Sequence, residues 1–186
     1  HAVNAFEQSP HIHEICIVMH PDYIMHAEQM LFANAWQKVR YIIPGGKERW
    51  ESSVQAIRQL GYKERGEEVN LLLHDAARPF VSQDIIARVC EALEEHEAVT
   101  VAIPSTDTVY EMADGKVARI PQRSTIMRAQ TPQAFRLELI ADAYTKALGV
   151  DNLSAEACAE AHIPATDDCG IVHEHMPQVP IYIVEG

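Results

Sequence analysis

Short apolar runs alternate with amphipathic stretches along almost the whole chain, and this rhythm restricts the fold more than any other feature. The runs at 14–19 (E-I-C-I-V-M), 39–43 and 98–103 (A-V-T-V-A-I) have the length and β-branched content of buried strands. Helical patterns lie between them. Asp22 opens one that runs to about Trp36, a second carries Val54, Ile57 and Leu60 on one face and closes at Gly61, and a third spans 84–96. Strands alternating with helices of this length imply crossover connections, hence an α/β doubly wound, mostly parallel sheet with helices on both faces. The 186 residues suffice for one domain with a sizeable core, so 1–186 reads as a single unit.

The rhythm breaks once, across 105–133. Residues 108–112 and 116–120 alternate around Asp114-Gly115, the signature of a β-hairpin, and such an excursion suits an arm for oligomer contact. A short extended piece follows, flanked by Pro121-Gln122-Arg123 and Gln130-Thr131-Pro132-Gln133. The alternation resumes with a helix at 136–148, its Leu139, Ile140, Ala143 and Tyr144 inward, and a last strand at 180–184.

The stretch 69–80, V-N-L-L-L-H-D-A-A-R-P-F, is where a buried strand ends in charge. In open α/β sheets ligands sit beyond the carboxyl ends of the strands, which places Asp75 and Arg78 where chemistry is expected. Ala76 and Ala77 leave room for a ligand to approach the backbone, and Ser82 or Asp84 caps the helix that follows, with Ile85, Val89 and Leu93 inward. Read alone, Asp75 and Arg78 also fit a loop-capping acid with its surface ion-pair partner.

Other constellations lie at comparable positions. Gly45-Gly46-Lys47-Glu48-Arg49 joins a strand to a helix whose first-turn N–H groups and Ser52 and Ser53 hydroxyls suit an anion, though such junctions are often plain turns. Thr106-Asp107-Thr108 adds a third carboxylate to the same rim, or starts an Asx turn. Arg123 and Thr131 together could clasp a phosphate. Thr166-Asp167-Asp168 caps a late helix, with Thr166 or Asp167 also reaching the site. Cys158 with His162 and Cys169 with His173, His175 nearby, have the spacing zinc accepts but lack a C-x-x-C clip, so zinc is the lesser reading. Cys16 and Cys90 read as buried thiols of a reducing cytoplasm.

A formal net charge of −12 argues against nucleic acid and anionic membranes as partners. No apolar run approaches the roughly 20 residues that span a bilayer. The first residues resemble the last turns of a helix and the final ones follow a strand directly, so both ends look cut.

Five separated pieces, G-G-K-E-R-x-x-S, H-D-A-A-R-P-F, T-D-T, the arginine before Q-T-P-Q, and T-D-D, occur in the order found in cytidylyltransferases that activate polyol phosphates, and the chain resembles that family throughout. The resemblance implies a Rossmann-like nucleotidyltransferase fold, a homodimer joined through the hairpin arm, and CTP with Mg²⁺, Asp75 being a candidate metal ligand. Gly45, Gly46, Lys47, Ser52, Asp75 and Ala76 would line the nucleotide side. Arg78, Thr108, Arg123, Thr131 and Thr166 would meet the acceptor, with Asp75, Arg78 and Arg123 as catalytic groups. The family's G-x-G-x-R-M loop and its lysine belong upstream of His1, the lysine of its closing N-I-K-x-T segment belongs beyond Gly186, and Lys47 stands where many members carry an acid.

Ile120-Pro121-x-Arg123 and Met127 resemble the ribitol 5-phosphate branch, so the expected acceptor is ribitol 5-phosphate, with 2-C-methyl-D-erythritol 4-phosphate, of isoprenoid biosynthesis, as the alternative. Transfer to another sugar phosphate or from another nucleotide, and a non-catalytic nucleotide-binding or zinc-stabilised module, are the competing readings.

Overall fold

A computed structural model describes residues 1–61, 69–158, 163–164 and 167–186. Helix α1 (Ala2–Gln8) leads to strand β1 (Ile15–Met19), a 3-10 turn (Pro21–Tyr23) and α2 (Ile24–Asn34). Then come β2 (Val39–Pro44), α3 (Arg49–Gln59), β3 (Asn70–Leu73), α4 (Gln83–Glu95) and β4 (Ala98–Pro104). A hairpin, β5 (Glu111–Ala113) and β6 (Lys116–Arg119), precedes β7 (Met127–Arg136), α5 (Leu137–Leu148), the single turn α6 (Ala155–Cys158), α7 (Asp168–His175) and β8 (Ile181–Glu185).

The main sheet has the order β3-β7-β4-β8, and β1 and β2 form a separate parallel pair. Alternation along the strands splits the core into two layers. Leu71, Ala98 and Phe135 face α3, α5 and α7, burying Val54, Ile57, Ile140, Tyr144 and Val172. Leu72, Val99, Val101 and Ala134 face α4 and its Val89 and Leu93. Helices thus cover both faces, as expected.

The expectation of a mostly parallel sheet needs correction. Strand β7 runs antiparallel to both β3 and β4 and occupies an interior position. It grows out of the piece read as merely extended, because Pro132 argues against an interior strand. The proline is accommodated where the β4–β7 register shifts: Thr100 faces Gln133 but Ala102 faces Ala129, so no ladder bond is asked of residue 132.

Smaller differences have local causes. Asp22 does not cap α2; the His20 imidazole accepts from the Asp22 N–H at 3.3 Å and starts the 3-10 turn instead. Helix α2 stops at Asn34, because Ala35 is left-handed at φ 51°. Strand β1 is half-buried rather than buried, as are Cys16 and Cys90. Gly61 does close its helix with positive φ. The hairpin forms on Asp114 and Gly115, both at positive φ, with strands shorter than expected.

Ser82 is the cap of α4, its hydroxyl oxygen accepting from the Ile85 N–H at 3.1 Å. Replacing Ser82 with alanine is expected to lower stability by about 1 kcal/mol in denaturant titration. An unchanged midpoint would remove the cap from the account.

Candidate active site

The first turn after β3 carries His74, Asp75 and Arg78 at the strand's carboxyl end. Asp75 lies between two guanidinium groups, with Arg49 Nε 3.4 Å from Oδ1 and Arg78 Nε 3.8 Å from Oδ2. Both separations exceed a normal N–H···O bond, so charge holds the carboxylate while its lone pairs stay available. Its side chain is 39% exposed, open to a ligand.

Arg49 is the residue that reading the sequence missed. As the first residue of α3 it looks like a solvated cation, yet its Nη1 donates to Asp168 Oδ2 at 2.6 Å. Asp168 is fully buried, and its other oxygen accepts from the Tyr144 hydroxyl at 2.7 Å. Burial opposes the charge on Arg49, but the attraction and hydrogen bond of Asp168 prevail and raise its pKa. Burial, followed by the adjoining Asp168 charge, pushes the Tyr144 hydroxyl well above its ordinary range, so it stays a donor.

Gln133, almost wholly buried in β7, organises the start of α7. Its Oε1 accepts from the N–H groups of Asp168 and Cys169, both at 3.1 Å, and its Nε2 donates to Asp167 Oδ2 at 2.7 Å. Asp167 is the expected cap, Oδ1 accepting from the Gly170 N–H at 2.8 Å. Cys169 is buried beneath this cap, which pushes its thiol up to about 12. Among the described residues no cluster of three His, Cys, Asp or Glu side chains is placed to hold a metal. Thr166 and His162 lie outside the described residues.

Thr131, two residues before Gln133, reaches the turn after β3. Its hydroxyl oxygen accepts from the Asp75 N–H at 3.1 Å and lies 3.0 Å from His74 Nδ1, while His74 Nε2 lies 2.9 Å from the Arg78 carbonyl oxygen. Burial lowers the His74 pKa and favours the neutral ring.

The Gly-Gly loop differs from the expected anion cradle. Gly46 N–H donates to the Ser52 hydroxyl at 3.1 Å, the N–H groups of Lys47 and Glu48 both donate to the Glu51 carboxylate, and Glu48 completes a capping box. The N–H groups of Gly46, Lys47 and Glu48 are therefore taken, the last two by a carboxylate that repels anions. A Cβ at Gly45 would sit 2.8 Å from Ser52 Oγ, so the loop needs glycine to fold back on its own helix. Lys47 is exposed.

Arg123 and Thr108 meet on the hairpin side, Nη2 donating to Oγ1 at 3.3 Å, both exposed. Among the described residues neither bonds to the Asp75 cluster. Ala76 is exposed beside Asp75.

The family model described as "IspD: 2-C-methyl-D-erythritol 4-phosphate cytidylyltransferase" matches residues 1–186. A relative so named from Thermobifida fusca is 40% identical over 190 residues, covering 100% of this chain and 72% of its own length. A bifunctional ribulose 5-phosphate reductase/CDP-ribitol pyrophosphorylase from Haemophilus influenzae is 32% identical over 188 residues, and the chain spans 37% of it. A crystal structure of the 4-diphosphocytidyl-2C-methyl-D-erythritol synthase of Anaerococcus prevotii superposes with a TM-score of 0.83 at 26% identity, covering 100% of this chain and 74% of that one.

The fold is thus that of a nucleotidyl-transferring enzyme class. The chain belongs to the 2-C-methyl-D-erythritol 4-phosphate cytidylyltransferase family. Among the described residues no helix is long and apolar enough to cross a membrane.

Proposed function

We propose that the protein transfers CMP from CTP to 2-C-methyl-D-erythritol 4-phosphate. The observation that carries this reading is Asp75 held between Arg49 and Arg78 at a strand end, in a chain 40% identical to a relative named for that acceptor. An oxygen of the acceptor phosphate attacks the α-phosphorus of CTP, the new P–O bond forms as the bond to the bridging oxygen breaks, and pyrophosphate leaves with the electron pair. Such chemistry asks for positioning and charge neutralisation rather than a protein nucleophile. Asp75 stands by the reacting phosphate, Gly45, Gly46, Lys47, Ser52 and Ala76 line the nucleotide, Asp75, Arg78 and Thr108 meet the acceptor, and Arg123 with Thr131 and Thr166 holds its phosphate.

Mg²⁺ fits this arrangement, because it takes most of its oxygens from phosphates and water and needs only one exposed carboxylate such as Asp75. Bound there, it would neutralise charge on the triphosphate. The hairpin supports a homodimer: its Met112 and Val117 are 68% and 52% exposed, apolar surface suited to a second copy.

Ribitol 5-phosphate is the second reading, favoured by Ile120-Pro121-x-Arg123, Met127 and the Haemophilus relative. The 32% identity to that relative, against 40% to the Thermobifida one, moves the preference to methylerythritol phosphate. Pyrophosphate release from CTP by the full-length protein, measured with each polyol phosphate, decides between them. Faster turnover of methylerythritol phosphate is expected; release with neither acceptor would end the assignment.

A further inference from the structure

Strand β8 ends the sheet order β3-β7-β4-β8, and among the described residues no strand pairs with its outer edge. The Gly186 N–H donates to the Ala102 carbonyl oxygen at 3.1 Å, so Tyr182 and Val184 also turn their peptide groups toward β4. Those of Ile181, Ile183 and Glu185 then point away from the sheet. One is taken, the Glu185 carbonyl oxygen accepting from Arg88 Nη1 at 2.7 Å. The edge lacks the usual guards, since residues 181–185 hold no lysine or proline and pair with β4 without a bulge. Tyr182 and Ile183 are 48% and 47% exposed on it.

Helix α4 runs beside this edge and forms with it a groove of about 360 Å³. Tyr182 shares the α4 face with buried Val184, and its ring lies nearly flat on that of His96, the centroids 4.2 Å apart and the planes 14° from parallel. Glu91, Ala92 and Glu95 line the wall. Arg88, the groove's cation, is already held by Asp84 Oδ2 at 2.8 Å. Among the described residues the carboxylates of Glu91, Glu95 and Glu185 form no ion pair.

Open peptide groups, exposed apolar side chains and uncompensated negative charge together define the occupant. A second copy of the chain suits the edge poorly, because it would bring the same carboxylates against their equals. We propose that the β8 edge is a docking site for an extended basic segment of another protein, which adds a strand to the sheet. Its peptide groups bond those of Ile181 and Ile183. Its lysine or arginine side chains on the α4 side meet Glu91 and Glu95 and lie over the open face of Tyr182, and apolar side chains alternate with them beside Ile183. Five residues of β8 offer a contact roughly 17 Å long, the scale of a reversible encounter.

Fluorescence anisotropy with a labelled peptide alternating lysine and valine tests the site, beside a peptide alternating glutamate and valine. The lysine peptide is expected to bind and the glutamate peptide not; no binding of the lysine peptide overturns the proposal. Ile183→Pro removes an outward N–H without changing charge and should weaken binding at least about fivefold, the worth of one main-chain bond. Ile183→Lys leaves the backbone intact and should weaken it comparably by repulsion, which keeps the test decisive if melting temperatures show that proline unfolds the edge. Glu91→Gln combined with Glu95→Gln should weaken binding too, whereas Glu28→Gln with Glu174→Gln, exposed acids elsewhere, should not. Unchanged binding in both Ile183 variants, or equal losses from the two glutamine pairs, would reduce the contact to diffuse attraction by a chain of formal charge −12 and overturn the docking site. A dimer in sedimentation that Ile183→Lys dissociates would overturn it in favour of a second copy.

Discussion

Replacing Asp168 with alanine is expected to destabilise the protein by about 3 kcal/mol, because removing one partner of a buried ion pair leaves the other without compensation. Asp168 is fully buried, accepts from Arg49 at 2.6 Å and from Tyr144 at 2.7 Å, and receives its backbone support from Gln133. The substitution leaves the buried Tyr144 hydroxyl with Ser53 alone and the Arg49 guanidinium, its side chain 34% exposed, with only its 3.4 Å contact to Asp75. That partial access to water places the cost at the low end of the usual range for buried pairs. For a chain of this length such a loss lowers the melting temperature by roughly 9 °C. Asp168→Asn retains an acceptor for Tyr144 and should lose about half as much. A melting point for the alanine variant within about 2 °C of the parent would show that the pair contributes little.

Replacing Arg123 with alanine is expected to have the opposite signature. Its side chain is exposed and its described bond is one to Thr108 at 3.3 Å, so the melting temperature should not move. On the proposed reading its guanidinium is the cation on the acceptor phosphate. The loss should therefore be about 10²–10³ in kcat/KM for the polyol phosphate, the range seen when a preorganised charge-stabilising group is deleted. The KM for CTP should stay near the parental value. Lysine at this position should restore only part of the activity, since an ammonium cannot reproduce the planar two-pronged contact. Parental acceptor kinetics in the alanine variant would move the phosphate away from the hairpin.

The elements readable in the sequence were those whose periodicity is unbroken. Val89 and Leu93 of α4, Leu139, Ile140 and Tyr144 of α5, and 98–102 of the strand read at 98–103 are buried where their spacing requires. Strand β7 hid behind Pro132, because the sequence does not disclose that the neighbouring ladder skips a bond there. Asp75 and Arg78 stood out since charge at the end of a leucine run has few other uses. Arg49 and Asp168 did not, being 119 residues apart, and each alone looks like an ordinary helix-start residue. His74 and Thr131 are separated by 57 residues, and their contact shows only once the fold brings them together. In the Gly-Gly loop, Glu48 and Glu51 look like ordinary acids at a helix start, and it takes their geometry to show that they bond N–H groups at that end of the helix.

Strand β7 has one more consequence. Thr131 and Gln133 grip two loops that are far apart along the chain, the one at 74–78 and the one at 167–169. Two residues of extended backbone cover about 7 Å, and that short rung sets how far apart the two loops can stand. Neither can drift without dragging the other. Lengthening or shortening the chain by one residue at this point would throw both out of alignment in a single stroke.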